Sequence, residues 1–146
     1  MKTFIFEVRL LKHGNASRTI EIPEAFSLYR LAEGVIGAFG FAFDHAFGFF
    51  DSDQGIGHIF GAKRKYDLFT DMIEQGQDIE PTGAGSVKKT MVSEVWQKPG
   101  DRMVMLFDYG DDWRFNVLLK TVGAEDKKKK YPVVLEKTGR APKQYA

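Results

Sequence analysis

The chain has 146 residues, 28% of them charged, and a formal net charge of +1. That length suits a single domain able to bury about two-thirds of its unfolded surface. Cysteine is absent, which excludes disulfides, thiolate zinc sites and cysteine nucleophiles.

Residues 3–12 alternate, with Phe4, Phe6, Val8 and Leu10 on one face and Glu7 and Arg9 on the other. That pattern is a half-buried strand, and His13-Gly14-Asn15 is the turn after it. The same charges, and the lack of a small-residue cleavage site, argue against a secretory signal. No run reaches the roughly 18 apolar residues of a membrane helix, so a cytosolic protein without a membrane partner is expected. Residues 17–22 return as the second strand of an opening hairpin, and Pro23 closes it. Ser27 is a natural N-cap for a helix. Leu28, Leu31, Ala32, Val35, Ile36 and Phe39 form its apolar stripe, and Gly40 stops it. Gly34 and Gly37 fit a helix lying close against the sheet. Short strands are expected at 45–50 and 57–61, short helices near 66–75 and 92–96, and a mobile loop over 76–86.

Residues 102–120 carry the clearest signal, two alternating runs around Gly110-Asp111-Asp112. Pairing Tyr109 with Trp113 also pairs Phe107 with Phe115, Met105 with Val117 and Met103 with Leu119. All eight side chains then share one face. The same register sets Asp108 opposite Arg114 as a cross-strand charge pair. A charged connector with Lys127 to Lys130, a strand at 132–135 and a coil end complete the chain. Runs of strands with one main helix give an α+β fold. Its sheet is mostly antiparallel, curved or partly barrel-like, with one or two short helices beside the main one.

Several groups offer chemistry. Asp44, His45, Asp51, Asp53 and His58 are metal-ligand types, but their spacing matches no known site. Asp51 to Gly55 opens like a calcium loop, yet Ala62 stands where its bidentate Glu is needed. Asp108, Asp111 and Asp112 could act as paired catalytic acids with His45, although turn chemistry explains these residue types unaided. No metal ligand set and no cofactor motif follows from the sequence: P-loop, GxGxxG and GxSxG are all absent. The charge is unevenly spread. Residues 120–146 carry eight Lys or Arg against three acids, and residues 1–119 carry thirteen against seventeen. Lys127, Lys128, Lys129 and Lys130, with Arg140 and Lys143, are therefore the candidate nucleic-acid contacts.

The hairpin Phe107-Asp108-Tyr109-Gly110-Asp111-Asp112-Trp113-Arg114, followed by Tyr131-Pro132 and Gly139-Arg140-Ala141-Pro142, resembles the plasmid-Ri ORF-three-like family. The upstream helix and the His45 strand also sit where that family places them. The resemblance implies the fold and an association with plasmids and mobile elements. Relatives often read His-Leu-His where this chain has His45-Ala46-Phe47, and many carry cysteines. A metal site built from those groups would therefore be largely lost here. Some relatives are labelled resolvase-like, but no Ser nucleophile in an arginine-rich setting is found. The expected function is a small non-catalytic binding or accessory domain, with nucleic acid as its first elaboration. The alternatives are a metal-assisted hydrolase using Asp108, Asp111 and His45, and a homo-oligomeric structural protein presenting Phe-rich strands.

Overall fold

The computed structural model describes residues 1–51 and 62–145. Strands β1 (Lys2–Leu10) and β2 (Ser17–Pro23) form the opening hairpin, with Phe6 opposite Ile20. His13 at φ 66° and Gly14 at φ 127° turn the chain between them. Helix α1 (Leu28–Ala38) starts where Ser27 Oγ accepts the Arg30 amide at 3.2 Å. It ends in a Schellman closure. Gly40 N–H donates to Gly37 O and Phe41 N–H to Ile36 O, both at 3.0 Å. Gly40 takes φ 75° there, a conformation costly for any residue with a Cβ. The expected stripe from Leu28 to Phe39 is buried throughout.

The remaining elements are β3 (Phe47–Phe50), β4 (Lys65–Asp67), α2 (Leu68–Glu74), β5 (Gly85–Ser86), α3 (Val92–Val95), β6 (Arg102–Phe107), β7 (Trp113–Ala124) and β8 (Val133–Thr138). Among the described residues they complete an open eight-stranded sheet in the order β5-β4-β3-β6-β7-β1-β2-β8. Every pairing is antiparallel except that of β4 with β5. The end of the expected loop over 76–86 thus supplies an edge strand. The strand expected at 57–61, with Asp53 and His58, lies outside the described residues.

The central hairpin keeps its faces and changes its register. Phe107 pairs with Trp113, Met105 with Phe115 and Met103 with Val117, two residues away from the expected alignment. A shift of two leaves each side chain on its own face, because strand side chains alternate with period two. The cause is the turn. Asp108 at φ 63° and Asp112 at φ 57° enter the left-handed region. Asp108 Oδ1 accepts the amides of Gly110 and Asp111, both at 3.2 Å. The loop therefore takes all of residues 108–112, more than the Gly-Asp-Asp core. Leu106 stands opposite Arg114, so the expected Asp108–Arg114 pair does not form. Arg114 Nε lies 3.2 Å from Asp112 Oδ1 instead. Tyr109 leaves the shared face and packs on the other side with Phe50 and Leu106.

The main core lies between α1 and one face of the sheet. Trp113 is 5% exposed and Phe115 fully buried there. Trp96, fully buried after α3, packs edge-on to Phe6 and Phe49 and donates its indole N–H to Val117 O at 3.2 Å. Gly34 does permit a close approach, although not to the sheet. A Cβ at Gly34 would sit 2.7 Å from Pro132 Cγ, just before β8, while Gly37 has nothing within 4 Å.

Candidate functional site

Three segments converge at the Trp113 end of the sheet: the loop 41–46 after α1, the turn 108–112 and the tail 139–145. Buried Arg18 helps bring the tail there. It donates to Ala38 O at the end of α1 and to Thr138 O and Gly139 O at the end of β8. Its guanidinium also lies 4.8 Å from the Phe39 ring centroid, a cation–π contact. Gln144 then clamps the loop, accepting the Ala42 amide at 2.7 Å and donating to Ala42 O at 3.1 Å. Tyr145 donates its hydroxyl to Asp44 Oδ2 at 2.6 Å. That bond, with the charges of Asp44, Asp108 and Asp111 nearby, pushes the phenol up to about 12.

His45 sits in the middle of this cluster. Its Nε2 lies 3.0 Å from Tyr145 Oη, 3.3 Å from Asp108 Oδ2 and 3.5 Å from Asp44 Oδ1. The structure thus brings His45 and Asp108 together. Asp111 stands apart, lining an adjoining cleft of about 360 Å³ with His13, Trp113, Lys143, Gln144 and Tyr145. The geometry gives Asp108 and Asp112 structural uses. Asp108 organises its turn with one carboxylate oxygen and meets His45 with the other. Asp112 pairs with Arg114 and, at 3.2 Å, with Lys12. All three oxygen neighbours of His45 crowd one nitrogen, an arrangement that anchors the tail. Among the described residues, no three His, Asp or Glu side chains are placed to hold a metal ion. Asp51 closes the β3–β4 pairing, where its carboxylate accepts the Arg64 amide at 3.1 Å.

The cationic candidates separate. Lys127 to Lys130 are exposed in the connection between β7 and β8, and Arg140 and Lys143 are exposed beyond the far end of β8. The six residues of β8 hold the two groups roughly 20 Å apart at about 3.3 Å per residue. They do not form one patch.

A second cavity, of about 290 Å³, opens on the sheet face away from α1. Phe50, Phe69, Ile79 and Tyr109 wall it, and Lys65, Asp67 and Thr82 complete the lining. Asp67 starts α2, its Oδ1 accepting the Thr70 amide and hydroxyl, both at 3.0 Å. Thr70 in turn donates to Ala84 O at 3.1 Å, and buried Asp71 accepts the Val87 amide at 3.0 Å. These bonds fix the end of the segment that carries Ile79 and Thr82. The Tyr109 hydroxyl is buried with no hydrogen-bond partner among the described residues. Burial, with the Asp67 charge as a smaller cause, raises its pKa well above the ordinary phenol value. Sequence reasoning missed this site, although one signal was present. The unbroken apolar run from Met103 to Phe107 marks a strand covered on both faces.

These features define an open, mostly antiparallel α+β sheet with a main helix on one face and a smaller covering layer on the other. The chain belongs to the plasmid pRiA4b ORF-3-like protein family, whose sequence profile matches residues 2–144. It is also similar to the crystal structure of a protein of unknown function from Methanosarcina mazei Go1, with a TM-score of 0.70 and 18% identity. That match covers 93% of this chain and 69% of the other, and at this identity it shows a shared fold alone. No curated protein matches the chain. Among the described residues, no helix is long and apolar enough to cross a membrane.

Proposed function

We propose that the chain is one non-catalytic binding domain, and that it meets nucleic acid at the turn carrying Lys127 to Lys130. The turn itself carries this reading. Four consecutive lysines are exposed there, and among the described residues none has a carboxylate within ion-pair distance. Asp126 shapes the turn by accepting the Lys128 amide on its side chain at 3.0 Å and the Lys129 amide on its carbonyl at 3.0 Å. Four unpaired cations on a short turn suit phosphates, whose neutralisation releases counterions. Anisotropy of labelled single-stranded DNA and RNA, titrated at low and at physiological salt, tests it. Binding should weaken steeply with salt. Replacing Lys127 to Lys130 by Gln should reduce the log–log salt slope by about three, at about 0.7 per phosphate on a single strand. Replacing Arg140 and Lys143 should change it far less. No binding at low salt ends this reading.

One contact favours a second reading, metal-assisted hydrolysis using Asp108, Asp111 and His45. His45 Nε2 lies 3.3 Å from Asp108, next to the cleft that Asp111 lines. Elemental analysis of protein purified without chelator or affinity tag discriminates. Stoichiometric metal that is lost in Asp111→Ala supports hydrolysis; metal-free, fully folded protein counts against it.

A further inference from the structure

We infer that the partner of the lysine turn is a single strand of nucleic acid, one unpaired base of which stacks on the guanidinium of Arg30. This rests on the reading of Lys127 to Lys130 as phosphate contacts and deepens it, by naming what meets the base beside those phosphates. Arg30 lies on the first turn of α1, far from the lysines in sequence, yet its Nη2 donates to Tyr131 O at 3.2 Å. Tyr131 directly follows Lys130, so the guanidinium borders the last of the four lysines, one step of about 3.8 Å along the chain. Tyr131 also closes the turn, its hydroxyl accepting the Asp126 amide at 2.9 Å. A single residue therefore fixes the lysines with its side chain and Arg30 with its carbonyl.

The contacts of the guanidinium decide which part of it is left for a ligand. Nη2 is taken by Tyr131 O, and Nε lies 3.5 Å from Glu33 Oε1, so two of its edges are engaged. Its central carbon sits 4.7 Å from the Phe26 ring centroid, which covers one face with an aromatic ring. The side chain nevertheless keeps 47% of its surface in solvent. With the edges and one face occupied, the opposite face is what remains open. It is a flat, delocalised cation already held in place, so little ordering is left to do on binding. Arginine planes of this kind carry splayed-out bases in readers of single strands. Inside a duplex each base face is covered by its neighbours in the stack, so only an unpaired strand can offer one.

An oligothymidine of about ten nucleotides, within the usual span of a single-strand site, and an abasic strand of equal length make a matched pair of probes. They carry the same phosphates and differ only in their bases. Followed by anisotropy with the full chain at low salt, oligothymidine should bind about tenfold more tightly, the order of one stacked base. Arg30→Lys keeps the charge and removes the plane. It should erase that preference while leaving the abasic strand, a duplex of the same length and the salt slope unchanged. Equal binding of the two strands by wild type overturns the inference. So does a preference that survives Arg30→Lys, or a loss that falls as heavily on the abasic strand and the duplex. In each of those cases the lysine turn still binds phosphates and only the stacking falls. If neither strand binds at low salt, the lysine-turn reading itself has failed and the stacking goes with it.

Discussion

The two faces of the sheet are built differently. On the α1 face, strand and helix side chains interdigitate around fully buried Trp96, Phe6, Phe49 and Phe115. On the other face, among the described residues, Phe50 and Leu106 are buried in the cluster, and Ala62 and Tyr109 are partly covered. Both faces are rich in rings, yet one is filled and the other holds a cavity. Rings that meet edge-on inside a filled core stabilise the fold. Rings that wall an unfilled space forgo part of that dispersion energy and leave room for another molecule. The difference assigns most of the fold's stability to the helix face.

Truncations on the two faces test that division most strongly. Trp96→Ala removes a fully buried indole and its hydrogen bond to Val117, and should cost about 3–5 kcal/mol in urea denaturation. Phe69→Ala, in the half-buried wall of the cavity, should cost about 1–2 kcal/mol. Equal losses would erase the distinction between the faces. Asp108 stands where the chain crosses from one face to the other, between buried Phe107 and outward Tyr109. Asp108→Ala removes the acceptor of two turn amides and puts a Cβ-bearing residue without a capping group at φ 63°. It should destabilise by about 2 kcal/mol. Asp108→Asn, which keeps an acceptor and tolerates that backbone, should cost less than half as much; similar losses would mean the carboxylate acts elsewhere.

How much of this was legible depends on the range of the interaction. Helix α1 could be read completely, because its cap, stripe and Schellman glycine all lie within fourteen residues, Ser27–Gly40. The hairpin could be read to its faces and not to its register. Alternation leaves shifts of two degenerate, and the amide-capping geometry of Asp108 breaks the tie. The clasp could not be read, since Gln144 and Tyr145 reach Ala42, Asp44 and His45 across 100 or more positions. Asp108 and His45 stand out in the sequence by residue type alone, whereas the tail that joins them carries no periodicity to announce it. The lysines and Arg140 are neighbours in the sequence, and the six residues of β8 between them hold them apart.

Smaller effects sharpen the picture within α1 itself. Gly→Ala in a helix is worth about 1 kcal/mol of propensity where nothing obstructs the new methyl. Exposed Gly37 meets that condition, so Gly37→Ala should raise stability by about that amount. At Gly34 the methyl would press on Pro132 Cγ at 2.7 Å, a ring that cannot swing aside. Overpacking of this kind costs about 1–3 kcal/mol, so Gly34→Ala should be net destabilising. A gain at both positions would show that the connector before β8 is not seated on the helix.

The gentlest prediction concerns pH and the tail. The Tyr145 phenol is pushed up from 10.0 to about 12 because its hydroxyl donates to the Asp44 carboxylate. A folded-state pKa raised above the unfolded value gives a contribution fully present below pH 10 and lost as pH rises through about 12. The Tyr145–Asp44 contribution should therefore be lost only in strong alkali. Ring-labelled Tyr145 followed by NMR should show that late midpoint, and Asp44→Asn should move it back toward 10.0 by removing the charge and the acceptor together. A midpoint unchanged by Asp44→Asn would assign the shift to burial of the phenol and the charges of Asp108 and Asp111, and not to the loop after α1.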